Sequence, residues 1–440
     1  MQVVAQFRTF NPTVRFLMIN QLTINAGFYM LMPYLANHLS GNLGLAAWLV
    51  GLILGIRNFS QQGMFLLGGS LADRIGYKPM IMAGCGLRVI SFAMLGFVES
   101  TPGLIVASAL TGLAGALFNP AVRAYLTHEA DGRRVEAFAL FNVFYQTGIL
   151  IGPLIGIALS GISFRLVCVV AAALFALLTI LQVRALPARE GAESASQRTV
   201  FADWREALTN RPFLLFSAAM IGSYLLAFQV YLTLPLEVRR LTGSEVGVSM
   251  LFTVSAVIGI LGQLRITSWL KARLSPTQAI AAGLALMGLA FVPLILAAPH
   301  VEPVAARAAG GSMSHLGISV LALSPVMATT ALLALGMLAV YPFEMAMIVT
   351  LGRERLVGTY YGLYSMLSGI GIAAGNLLSG AAVDAGRQTG ITSLPWIILA
   401  LIGAASAGGI LGLHRSGRLT PAHAGQPSPV PIPTAGQTSR

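Results

Sequence analysis

Apolar residues run through this chain in long blocks, without the spacing of half-buried helices or strands. Stretches of about 20 residues, the length that crosses a bilayer as an α-helix, recur along nearly all of it, and segments such as Val169 to Val183 are continuously apolar. The pattern predicts twelve spans, near 14–36, 46–68, 79–99, 103–124, 138–160, 164–186, 213–235, 246–268, 278–299, 320–348, 358–381 and 393–413. A soluble core has no room for so many, and a membrane barrel would need alternating strands of about ten residues. Lipid offers backbone groups no partners, so the spans are helical. The expected fold class is an all-α integral membrane protein.

Composition agrees. Of 440 residues, 56% are hydrophobic and 10% charged, where a soluble domain carries roughly a quarter charged. The net charge of +12 would suggest nucleic acid in a soluble chain; here its placement reads as topology, and no nucleic-acid partner is expected. With the N-terminus inside, Arg165, Arg239, Arg240, Arg307 and Arg387 fall on the outer side and Arg57 and Arg88 within spans. All other Lys and Arg fall on the cytosolic side, in the N-terminal arm, the loops after even-numbered spans and the tail. This bias places both termini in the cytosol. The N-terminus lacks a short apolar core with a small-residue cleavage site, so span 1 is expected to be retained.

Several chemistries drop out. Cys85 and Cys168 both lie in spans, so no disulfide framework is indicated. The six histidines are scattered over loops and the tail without metal-ligand spacing. A phosphate-binding Gly-x-x-x-x-Gly-Lys loop is absent. The chain is not expected to be an enzyme, nor to need a metal or cofactor; the proton motive force would supply the energy.

The weakly apolar stretch Pro187 to Pro212 divides the spans six and six. Gly148, Gly152 and Gly156 in span 5 answer Gly371, Gly375 and Ser379 in span 11 at one constant offset, and Pro33 with Ser40-Gly41 answers Pro235 with Thr242-Gly243. The expected organisation is two pseudo-symmetric six-helix halves, 1–186 and 213–416, joined by a cytosolic linker, 187–212. A disordered cytosolic tail, 417–440, follows. Residues 299–314 read as an external loop.

Five groups of residues could carry function. Gly69 to Pro79 forms a charged turn between spans 2 and 3, with Gly69, Asp73, Arg74, Gly76 and Lys78 as its distinctive positions; glycines permit close approach and the charges cap helices or gate the cytosolic side. Gly148, Gly152, Pro153 and Gly156 make a smooth stripe on span 5 that admits a neighbouring backbone, with a proline that removes one donor. Arg57 and Gln61 share a face of span 2, and Arg88 lies in span 3. An intramembrane arginine costs about 3 kcal/mol on insertion scales, so each should face protein or a cavity, as a structural or a substrate-binding group. Glu344 in span 10 is the one clear intramembrane carboxylate, either a proton-coupling group or a rim glutamate paired with Arg353 or Arg355. Gln21, Asn25, Tyr29, Asn119, Tyr224, Phe228 and Tyr231 are further candidates to line an amphipathic pocket.

The Gly69 to Pro79 turn resembles the signature of the major facilitator superfamily, and the Gly152-Pro153 pair resembles the antiporter motif of its twelve-span drug:proton antiporter family. The runs Gly55 to Gly63, Lys78 to Ile81, Phe164 to Cys168 and Gln229 to Pro235 resemble the MdtH-type multidrug exporters. The resemblance implies the major facilitator fold with a site between its two halves, and proton-driven export of small amphipathic compounds by alternating access, with Asp73 holding the cytosolic side closed. It implies a monomer in a bacterial inner membrane whose partners are substrate, protons and lipid. Two departures stand out. Asn20 replaces an acidic residue of that subgroup and Ser108 an arginine of the wider family, so the usual proton relay does not transfer and Glu344 gains weight. Export of one dedicated metabolite such as a siderophore, proton symport, and a non-transporting receptor are the alternative readings.

Overall fold

The computed structural model describes residues 2–187, 199–242, 245–298 and 315–419. Residues 188–198 of the expected linker, the 299–314 loop and positions 420–440 of the expected tail lie outside them.

A short helix α1 (Gln2–Arg8) precedes α2 (Pro12–Asn37), which starts at Asn11, whose side chain accepts from the Val14 N–H, and continues into a π-turn at His38–Asn42. The chain then runs through α3 (Ala47–Ile75), α4 (Tyr77–Phe97), α5 (Thr101–Glu129), α6 (Arg134–Ser160) and α7 (Phe164–Ala185). Beyond the linker come α8 (Val200–Thr209), α9 (Arg211–Phe228), α10 (Thr233–Thr242), α11 (Glu245–Arg273), α12 (Pro276–Leu289), α13 (Val292–Ala297), α14 (His315–Leu351), α15 (Val357–Thr389) and α16 (Leu394–Arg415). Ten helical segments among the described residues are long and apolar enough to cross a membrane. The first two expected spans are α2 and α3, of matching length, with Asn11-capped and Arg57-bearing sequences that are more polar. The protein is an all-α, multi-pass membrane protein.

Two expected spans are interrupted. Span 7 breaks between α9 and α10, where buried Gln229 donates to the Leu225 carbonyl and accepts from the Thr233 hydroxyl. Its side chain thereby meets polar groups that the unwound turn would leave bare. Span 9 breaks between α12 and α13 at Phe291, just before Pro293, which cannot donate to the preceding turn.

Helices α2, α6 and α7 pack together, as do α3, α4 and α5; on the other side of the molecule α9, α15 and α16, and α11, α12 and α14, do the same. The two sets meet where α3 and α5 cross α15 and where α6 faces α11 and α14. Large apolar side chains such as Leu154, Ile157 and Leu377 point outward, as expected of helices whose outer surface meets lipid. Inside, a large apolar core encloses a minority of buried polar groups, Asn20, Gln182, Gln263 and Glu344 among them.

A clamp between the halves and a polar centre behind it

The charged turn builds a clamp. Gly76 has φ of 104°, a left-handed conformation that favours glycine, and it turns α3 directly into α4. One turn earlier, Asp73 is 1% exposed and accepts from the backbone N–H of Gly358 (2.8 Å), the N–H of Thr359 (2.7 Å) and the Thr359 hydroxyl (2.7 Å). Helix α15 has no local side-chain cap, so a carboxylate from the other half satisfies its free N–H groups and its positive end. The backbones must nearly touch for this. A Cβ at Gly69 would stand 2.0 Å from the Gly358 carbonyl oxygen, and one at Gly362 2.4 Å from that of Phe65.

Arg74 pairs with Asp203 of α8 at 2.5 Å. Asp203 also takes Arg355 at 3.1 Å, and Glu206 takes Arg353 at 2.8 Å as well as Arg355. Trp204 donates to Ser70 at 2.7 Å. The linker helix therefore grips α3 through Asp203 and Trp204 and the α14–α15 turn through Asp203 and Glu206. Lys78 donates to the Val183 carbonyl at 2.7 Å, a cation at the C-terminal end of α7. Lys271 pairs with Glu136 across the halves. All five distinctive positions of the turn thus have a physical task at this face.

Glu344 is not a rim glutamate. Arg353 and Arg355 are taken by α8, and Glu344 is 3% exposed, accepting from the Tyr364 hydroxyl, with Tyr224 alongside. The cation that faces it is Arg123 of α5. The charge pattern assigned Arg123 to the cytosolic rim; the structure corrects this, because α5 continues to Glu129 and leaves Arg123 inside the bundle, 3.3 Å from Ser365 and facing Tyr341 and Tyr361. Its place ahead of Tyr125 in an otherwise apolar run was the available signal. One half thus supplies the cation and the other the carboxylate, in a setting of tyrosines.

The span 5 stripe packs as expected. Cβ atoms at Gly148, Gly152 and Gly156 would stand 2.4, 2.8 and 2.3 Å from the carbonyl oxygens of Leu22, Ala26 and Met30 of α2, and the Pro153 carbonyl accepts from Tyr34 at 2.8 Å. Asn25 donates to the Tyr145 carbonyl at 3.2 Å, and Gln21 is buried. Tyr29 faces Tyr145, Tyr231 and Arg57. Tyr231 packs at a tilt against Phe228 and Phe252 and is half exposed. Asn119 is half-buried on α5. Gln61 lies over Gly115 of α5, whereas the Arg57 guanidinium stands over Phe28 of α2, so the two do not form one constellation. Arg88 is 5% exposed, over the rings of Phe28 and Phe175. Asn20 accepts from Gln182 at 2.8 Å, and Ser108 is buried on α5.

The sequence matches the profile of the Major Facilitator Superfamily over residues 17–323. The chain belongs to that superfamily. It is 45% identical to an uncharacterized MFS-type transporter of Mycobacterium tuberculosis over 92% of this chain and 94% of that protein. It is 30% identical to the multidrug resistance protein MdtH of Salmonella arizonae over 88% of this chain and 90% of that protein, and 29% identical to MdtH of Salmonella schwarzengrund over the same shares. Like other members of the major facilitator superfamily, the protein is a transporter and not an enzyme, and the expected fold and family both hold.

Proposed function

We propose that the protein is a proton-coupled exporter of small amphipathic organic compounds, a multidrug efflux antiporter of a bacterial inner membrane with both termini in the cytosol. The observation that carries this reading is a buried carboxylate on one half, Glu344, held by the Tyr364 hydroxyl and facing a cation of the other half, Arg123, in a bundle whose halves are clamped together at Asp73. A carboxylate held this way can exchange a proton for a substrate as the halves rock, which is what coupled alternating access requires. Asp73 and the α8 ion pairs would govern when the cytosolic face opens. The Gly148, Gly152, Pro153 and Gly156 stripe would let α6 slide on α2. The similarity to MdtH proteins supports efflux as the direction. The transporter would work as a monomer, with the proton motive force in place of a cofactor.

The test is accumulation of a panel of cationic, zwitterionic and anionic amphipathic dyes in cells with and without the protein, each with and without a proton uncoupler. Lower accumulation that depends on both protein and gradient is expected. Equal accumulation in all arms sinks the proposal.

A further inference from the structure

Two arginines of the same half converge on one aromatic ring in the middle of the bundle. Arg57, ten residues into α3, and Arg88, halfway along α4, place their guanidinium carbons 5.5 and 5.2 Å from the centroid of Phe28. Arg88 also lies 5.3 Å from the centre of Phe175. Such contacts attract the cation to the ring face but do not replace hydrogen bonds. Among the described residues neither arginine forms an ion pair with a carboxylate. Arg57 bonds to the Asn58 side-chain oxygen on its own helix. Arg88 leaves Nε and Nη1 buried without a hydrogen-bond partner.

The surroundings are neutral throughout. Cys85 lies one turn before Arg88, and its sulfur accepts from Gln182, which also bonds Asn20. Tyr29 of α2 faces both arginines, Tyr145 of α6 faces Arg88, and Tyr231 faces Tyr29. Two like charges around one ring in a low-dielectric interior repel each other, and each is costly when unpaired. Natural bundles meet this cost with a partner. Here the missing partner is an anion, and the planar guanidinium fork matches a carboxylate or sulfonate.

We infer that Arg57 and Arg88 form an anion subsite, so that the transported compounds include small amphipathic organic acids whose carboxylate or sulfonate sits between the two guanidinium groups while the apolar body packs on Phe28 and Tyr29. This rests on the transporter reading above and narrows its substrate class. Arg57, half-buried, is the group that meets the ligand first; Arg88 lies deeper, and its unused donors close around the acid.

The experiment is equilibrium binding to the purified protein in phosphatidylcholine nanodiscs, with no gradient, using three matched acid and amide pairs: 1-naphthaleneacetate, 4-biphenylacetate and indole-3-acetate against their carboxamides. The expected result is tighter binding of the acid by at least tenfold within at least one pair, and loss of that preference in Arg57→Gln with the affinity for the amide unchanged. Arg57→Lys is expected to keep part of the preference, which a merely structural arginine would not produce. Should Arg57→Gln fail to fold, Arg88→Lys and Arg57→Lys are compared by the same acid-to-amide ratio. Acids that do not bind, amides that bind as tightly as acids, or an acid preference untouched by these variants would each overturn the inference. Because no gradient is used, failure of proton-driven export would leave this binding result standing, and failure here would leave export of uncharged compounds open.

Discussion

Asp73 takes two hydrogen bonds from Thr359, one from its backbone N–H and one from its hydroxyl, each 2.7 Å long and joining positions 286 residues apart. With the Gly358 N–H they make a helix cap that crosses from one half of the transporter to the other. The cap can exist only while the halves are together on this face, so its strength sets the balance between closed and open forms.

Asp73→Asn removes the charge and keeps one acceptor oxygen. Charge-assisted bonds contribute about 1.5–3 kcal/mol each, and the asparagine is expected to favour opening of this face by at least tenfold. Spin labels at exposed Asp131 and Ala272, on opposite halves, check it: the long-distance population should rise in the variant. An unchanged distance distribution with normal transport would reduce Asp73 to a local structural residue.

Gly69→Ala tests the close approach alone. Its new methyl would stand 2.0 Å from the Gly358 carbonyl oxygen, whereas Gly55 on the same helix has nothing within 4 Å. The alanine at 69 should separate the helices, break the Asp73 cap and reduce transport at least tenfold, while Gly55→Ala should leave transport within twofold. Comparable activity of the two variants would contradict the packing argument.

The clamp was largely readable in the sequence because each of its parts uses a residue type with few alternatives. Gly76 needs a left-handed backbone, Gly69 a missing side chain, and Asp73 with Arg74 puts opposite charges at a helix end. Membrane spans were readable for the same reason, since hydropathy over twenty residues reflects a solvent and not a fold. What pairs with what was not readable. Hydropathy fades near residue 124 while α5 runs on to Glu129, so charge placement alone puts Arg123 at the rim; it also makes Arg353 and Arg355 the neighbouring cations of Glu344 in sequence, although the linker helix holds both. The breaks at Gln229 and Phe291 depend on side chains taking over backbone bonds, which no periodicity records.

The linker helix should act as a strap on the clamp. Asp203 is buried and binds Arg74 from one half and Arg355 from the other, so Asp203→Asn leaves two arginines partly buried beside each other. Truncating one partner of such a network costs about 3–5 kcal/mol when fully buried, and less here because both arginines keep some solvent. The prediction is a wider opening in the same spin-label measurement and, in a double-mutant cycle with Arg355→Gln, non-additive effects. Additive effects would mean that α8 binds the two halves independently and straps nothing.

Glu344→Gln separates coupling from folding. The glutamine is close in volume, and its amide oxygen can still accept from the Tyr364 hydroxyl that serves Glu344, so the variant should insert and keep its thermal stability within a few degrees. It cannot exchange a proton, and it leaves Arg123 facing a neutral group at all times. Gradient-driven transport in proteoliposomes should fall by two orders of magnitude or more, while counterflow of substrate across the same membrane without a gradient persists. That combination distinguishes a coupling carboxylate from a structural one: loss of both activities together would assign Glu344 to the fold or to substrate binding, and undiminished gradient-driven transport would remove it from the mechanism.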